Sequence, residues 1–149
     1  MGRKLTADEQ KITELVRQRM KESKSTELLG FDVESVHDGR AVFRLDVRPT
    51  HKQIHGVVHG GIIAALADTT AAIAAYTAVP LGVELATLEL KINFLRPVWQ
   101  TRLSATANVV QRGRTIGLVE CDVTDAGGRL VARASSTCMT LRGPQAQGR

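Results

Sequence analysis

The chain has 149 residues, enough for one ordinary domain and too few for two. Hydrophobic residues make up 43% and charged residues 23%, a globular balance, and the net charge of +5 excludes an acidic disordered chain while leaving an anionic ligand possible. Only five residues are aromatic, whereas eight of the 17 alanines fall between Ala64 and Ala78, so the core must be built from aliphatics and close backbone approach.

Thr6-Ala7-Asp8-Glu9 is a capping-box pattern, and Ile12, Leu15, Val16 and Met20 follow at helical spacing. The pattern predicts an N-terminal helix over about 6–24, lying on the surface by a narrow apolar stripe. From residue 29 the period becomes two. Residues 29–36 and 40–47 read as strands joined by the turn His37-Asp38-Gly39, with Ala41, Phe43, Leu45 and Val47 on one face. A loop opened by Pro49 ends at Gly60-Gly61. Residues 62–77 then form an apolar helix whose only charge is Asp68, the pattern of a buried helix. The next strand alternates Ala86, Leu88, Leu90, Ile92 and Phe94 with polar residues up to Arg96-Pro97. Two or three further strands, over 103–110, 115–123 and 130–141, complete the chain, with Asp125-Ala126-Gly127-Gly128 as the last hairpin turn. Residues 1–141 therefore read as one domain and 142–149 as a disordered tail. One buried helix with antiparallel strands around it is an α+β layout in which a sheet wraps the helix.

No uninterrupted run of 18 apolar residues occurs, and Met1-Gly2-Arg3-Lys4 leads into charge rather than an apolar signal core, so neither a membrane span nor a leader is expected. Cys121 and Cys138 have no metal or redox spacing and read as buried reduced thiols of a cytosolic protein, although the sequence leaves a disulfide between them open.

The residues with chemical content cluster around the start of the buried helix. Gly60-Gly61 reads as a plain turn or as a helix N-terminus whose unpaired N–H groups could polarise a carbonyl. Asp68 stands on an alanine face, where a carboxylate is costly unless something pairs with it or uses it; the alternative is a solvent-exposed face. His51, His55 and His59 are spaced by four, but Gly56, Val57 and Val58 disfavour the helix that would align them, so no metal is expected. Lys91, Arg96, Arg102, Arg112 and Arg114 form a basic stretch without an acid. Within it, Arg112-Gly113-Arg114 reads either as a phosphate-gripping turn or as a solvated hairpin tip. Nucleic acid is disfavoured by the lack of stacking aromatics and of any binding motif.

VVHGGIIAALADTTAAIAAY followed by LATLELKINFLRPV resembles the hotdog-fold acyl-CoA thioesterases of the phenylacetate-degradation (PaaI-like) branch, over roughly residues 29–141. The resemblance implies a hotdog fold, an antiparallel sheet around one long central helix, with sites at a dimer interface and a homodimer or homotetramer as the assembly. It implies Asp68 as nucleophile or general base, Gly60 as the N–H that polarises the thioester carbonyl, and His59 as the residue orienting the thioester end. Gln53 would help hold the carbonyl or the attacking water, and Thr87 would face the carboxylate from the partner subunit. Arg96, Arg112 and Arg114 are the candidate contacts to the phosphates of coenzyme A, which enters as part of the substrate, so no cofactor is implied. A non-catalytic acyl-CoA sensor of the same fold is the runner-up, and a hotdog dehydratase a third possibility.

Overall fold

The structure, a computed structural model, describes residues 4–80 and 82–147. Helix α1 (Ala7–Glu22) opens on the expected capping box: the Thr6 hydroxyl accepts the Glu9 N–H at 3.3 Å and the Glu9 carboxylate accepts the Thr6 N–H at 2.8 Å. The predicted helix over 6–24 is in fact two. Ser23 turns extended, with φ −78° and ψ 106°, and its hydroxyl accepts the Thr26 N–H, ending α1 and starting α2 (Lys24–Leu29). Gly30 closes α2 at φ +75°, where a Cβ would also meet the Arg48 guanidinium at 2.5 Å. Strand β1 (Phe31–His37) therefore starts after this turn rather than at residue 29.

Strands β2 (Arg40–Asp46), β3 (Glu84–Phe94), β4 (Arg102–Arg112), β5 (Ile116–Thr124) and β6 (Leu130–Leu141) join β1 in one antiparallel sheet, ordered β1-β2-β4-β5-β6-β3. Helix α3 (Gly60–Thr77) begins at Gly60 and packs against every strand. Its buried face, Ile63, Leu66, Ala67, Thr70, Ala71, Ala74 and Ala75, is mostly alanine, which lets the sheet curl closely around it. Thr70 fits there because its hydroxyl donates to the Leu66 carbonyl one turn back, at 2.6 Å. Helix α3 has the length and apolarity of a membrane span, yet its buried face is spent on the sheet and it carries Asp68.

Two of the three phenylalanines, Phe31 and Phe43, are buried with Leu45, Leu103, Val119 and Val123. Both cysteines are free: Cys121 lies opposite Ala134 and Cys138 opposite Gly117, so the register keeps them apart. Burial pushes the Cys121 thiol up to about 12. After β6, Gly143–Gln147 form a 3-10 turn where the sequence suggests disorder; the tail's last two residues lie outside the described ones.

Candidate functional site

The approach to α3 is tightly held. Pro49–His51 form a 3-10 turn, and the chain then doubles back through a bridge between Lys52 and Val58, with Gly56 at φ +82°. The Val58 N–H donates to the Val98 carbonyl at 2.7 Å and the His59 N–H to the His51 carbonyl at 2.8 Å. These bonds aim the first turn of α3 into a groove lined by Val58, Gly60, Ile63 and residues 94–98, about 390 Å³ in volume.

His59 is the N-cap of α3, and its Nδ1 accepts the Gly61 N–H at 2.9 Å. An accepting Nδ1 puts the neutral ring's proton on Nε2, leaving that atom a donor. The Gly60 N–H has no partner among the described residues, so it stays available at the positive end of the helix. Phe94, half exposed, lies against Gly60, where a Cβ would approach its ring at 3.1 Å.

Asp68 sits two turns into α3, half buried and the only charged residue of that helix. Its Oδ1 accepts the hydroxyl of Thr87 of the same chain at 3.0 Å, so the facing that the resemblance assigns to a partner subunit is made within one chain. A bulge between Thr87 and Glu89 leaves Leu88 outside and keeps Thr87 turned toward α3. Behind Thr87, directly across the pair of strands, is Cys138. Burial holds its thiol up; the contact with Ser136 opposes this, the Asp68 charge adds to it, and Thr87 opposes it.

Gln53 lies in the turn before α3, and its Oε1 accepts the His55 N–H at 2.7 Å. One lone pair of that oxygen is thereby engaged, and the side-chain NH₂ group remains a donor. The three histidines do not converge: His51 is buried, His55 and His59 are exposed, and the described residues hold no cluster of three metal-ligating groups.

The basic stretch disperses in space. Lys91 donates to Asn93, and Arg102 pairs with Asp46 at 2.6 Å. Arg96 lines the groove at Gly60. Arg112 instead donates to the carbonyl of Ala78, at the opposite end of α3. Eighteen helical residues at about 1.5 Å each put these two ends about 27 Å apart. Arg114 is exposed in the β4–β5 turn with Arg112, so only Arg96 of the three arginines shares the groove with Gly60 within one chain. Cys138 and the packing of Phe94 on Gly60 were not recoverable from the sequence. Cys138 meets Thr87 only through strand register, and the aromatic at the end of the β3 pattern was the one signal for Phe94.

The family model for the thioesterase superfamily matches residues 55–132, more than half of the chain and the whole run from His55 through α3 to the start of β6. The chain belongs to the thioesterase superfamily. A Saccharolobus solfataricus protein provisionally described as an esterase is 36% identical to this thioesterase over 114 residues, 76% of this chain and 81% of its own. The 1,4-dihydroxy-2-naphthoyl-CoA hydrolase of Listeria monocytogenes is 29% identical over 111 residues, 74% and 90% of the two chains. Among solved structures, the PaaI protein of the E. coli phenylacetic acid degradation operon superposes with a TM-score of 0.78 at 28% identity, covering 85% of this chain and 91% of its own. The six-stranded antiparallel sheet around α3 is thus the hotdog fold, and the thioesterase is PaaI-like.

Proposed function

We propose that this thioester hydrolase cleaves acyl-CoA to the free acid and coenzyme A, at a site completed by two copies of the chain. The observation that carries the reading is a carboxylate with a defined partner on an otherwise uncharged helix: Asp68, held through one oxygen by Thr87. The other oxygen is left to act. Similarity to a CoA-thioester hydrolase and to PaaI supports the substrate class.

Asp68 follows Gly60 by eight residues, about 12 Å along the helix, too far for both to reach one carbonyl group. An antiparallel pair of α3 helices, one from each copy, brings the Gly60 of one chain to the Asp68 of the other. The thioester carbonyl oxygen then accepts the Gly60 N–H, with the Gln53 NH₂ as a second donor and His59 Nε2–H toward the sulfur end. Donors already aligned on the developing oxyanion are worth about 3 kcal/mol each. The partner's Asp68 either attacks the carbonyl carbon, giving a mixed anhydride that water then cleaves, or takes a proton from the attacking water. In both routes the thiolate of coenzyme A leaves and is protonated by solvent.

Asp68→Asn and Asp68→Ala are expected to fold with unchanged melting and to lose about a hundredfold or more in kcat for thiol release from acyl-CoA. Hydrolysis at the wild-type rate by either variant overturns the assignment. Tight acyl-CoA binding by the wild type without thiol release, at every acyl group tried, makes the protein a sensor instead.

A further inference from the structure

The open groove in front of Gly60 has a wall that is pinned at both ends. The Leu95 N–H donates to the Val131 carbonyl at 2.8 Å and the Arg96 N–H to the same oxygen at 3.3 Å, which ties residues 94–98 to the start of β6. At the far end of that segment the Val98 carbonyl accepts the Val58 N–H at 2.7 Å, which ties it to the chain entering α3. The wall therefore keeps its distance from the helix start, and the side chains between them set the width of the groove. Apart from Arg96, those side chains are apolar: Val58, Ile63, Phe94, Leu95, Pro97 and Val98. Phe94 reaches across to the helix. Its ring meets Gly60 tip first: a Cβ added at Gly60 would lie 3.1 Å from Cζ and 3.4 Å from both Cε atoms, and these are its three nearest neighbours. Phe94 is still 51% exposed, so the ring stands in the groove rather than in the core.

We propose that Phe94 is the specificity-determining residue of this groove, and that its ring selects acyl groups unbranched at the carbon next to the carbonyl. The inference rests on the reading in which the Gly60 N–H receives the thioester oxygen. A carbonyl carbon bound there carries the sulfur and the α-carbon, and both must lie within a few ångströms of Gly60. The polar neighbour, His59, takes the sulfur end, so the α-carbon faces the other neighbour, the Phe94 ring. A CH₂ group against an aromatic ring is a favourable apolar contact. A second carbon branching from that atom finds room only if the ring turns away from Gly60. Turning gives up the contact and leaves more of the ring in water. The same geometry gives Gly60 a second reason to lack a side chain. Besides barring close approach to its N–H, a methyl there would push the ring tip into the space that the α-carbon needs.

The test pairs isomeric acyl-CoA substrates, butyryl with isobutyryl and hexanoyl with 2-ethylbutyryl, so that the members of a pair differ only in branching. Thiol release is measured for the wild type, Phe94→Leu, Phe94→Ala, Gly60→Ala and the double variant Gly60→Ala/Phe94→Ala. The ratio of kcat/KM within a pair does not depend on how much of a variant is folded or assembled. The wild type is expected to favour the unbranched member of each pair by about tenfold or more, the scale of one misfitted carbon in an apolar pocket. Phe94→Leu reduces that preference, and Phe94→Ala brings the ratio close to one. Gly60→Ala keeps its N–H but loses activity, and part of the loss is recovered when Phe94 is also alanine, so the two effects are not additive. A ratio in Phe94→Ala equal to the wild type's overturns the inference, as does a wild type with no preference for the unbranched members. A fall of the same factor on all four substrates returns Phe94 to packing, and additive losses in the double variant show that ring and glycine act separately; either result also overturns it. Dissociation constants are measured alongside for analogues in which a methylene replaces the sulfur and the carbonyl is kept. If no thiol is released but these analogues show the same preference and the same change in Phe94→Ala, the role of the ring stands and the hydrolase reading fails.

Discussion

His51 holds the loop that feeds into α3, and it does so as a neutral ring. It is 2% exposed; its Nδ1 accepts the Arg48 N–H at 3.0 Å and its carbonyl accepts the His59 N–H. A protonated Nδ1 could not accept. Burial, reinforced by the Arg48 charge and opposed by a contact with the Leu29 backbone, holds the imidazole below its usual range. The unfolded chain therefore takes up a proton near pH 6.5 that the folded chain refuses. Stability from this group is complete above about pH 6.5 and falls as the pH drops from there toward the folded value. The melting temperature is expected to drop more between pH 7.5 and 5.5 in the wild type than in His51→Gln. Equal drops would show that the ring does not carry the acid sensitivity. Asp68 and Thr87 belong to this scale too: one hydrogen bond between α3 and β3 orients the carboxylate on which the proposed chemistry depends.

At the scale of elements, α1 closes one side of the sheet. The Thr13 hydroxyl accepts the Val36 N–H at 2.9 Å and donates to the Val36 carbonyl at 3.2 Å, and Arg17 donates to the Val33 carbonyl at 2.8 Å. A helix side chain thus occupies both edge-facing groups of a β1 residue, the groups that would otherwise recruit another strand. The sequence suggests only a narrow apolar stripe for this helix; the polar residues that do the work were indistinguishable from its solvated face. Thr13→Val keeps the shape and removes the hydroxyl. It is expected to cost about 1–3 kcal/mol of unfolding free energy, since both Val36 groups lose their partner in a buried place. Urea denaturation checks this, with a lowered midpoint at constant slope. A midpoint equal to the wild type's would mean that water replaces the hydroxyl.

For the whole molecule, covering β1 leaves β3 as the open edge of the sheet. Leu88, Phe94 and Leu95 at that edge are each about half exposed, and the face of α3 carrying Gly61, Ala65, Asp68 and Ala72 is small and uncovered by the sheet. Both features suit a second copy approaching about a two-fold axis. The proposed two-copy site, with Gly60 of one chain meeting Asp68 of the other, asks for the same arrangement. Gly60→Pro removes the N–H while Pro remains acceptable at the first helical position, and Asp68→Asn removes the carboxylate. Each variant alone is expected to be inactive. For the proposed two-copy site, co-expression is expected to give hybrid dimers with one intact site and activity of about a quarter of the wild type for random pairing. No recovery in verified hybrids would put the site within a single chain.

Helix α1's capping box, the alternation through β2 and β3 and the apolar run of α3 could be read directly from the chain, because each depends on neighbours a few residues away. The motif His59-Gly60-Gly61 with Asp68 was also visible, since one helix start and one turn spacing define it. The break at Ser23 was not, because Ser caps a helix and sits inside one with nearly equal ease. The destinations of the arginines were not visible either: Arg96 and Arg112 are close in sequence, yet the antiparallel sheet sends them to opposite ends of α3. Within one chain the basic stretch is therefore spread along α3 rather than gathered beside Gly60. What the sequence determined by itself is the kind of each element and the identity of its reactive groups, both set by local spacing. Which groups meet, Thr87 with Asp68, Cys138 behind Thr87, Thr13 on Val36 and Arg112 on Ala78, was decided only by tertiary structure, because strand register and helix docking join residues that no local pattern connects.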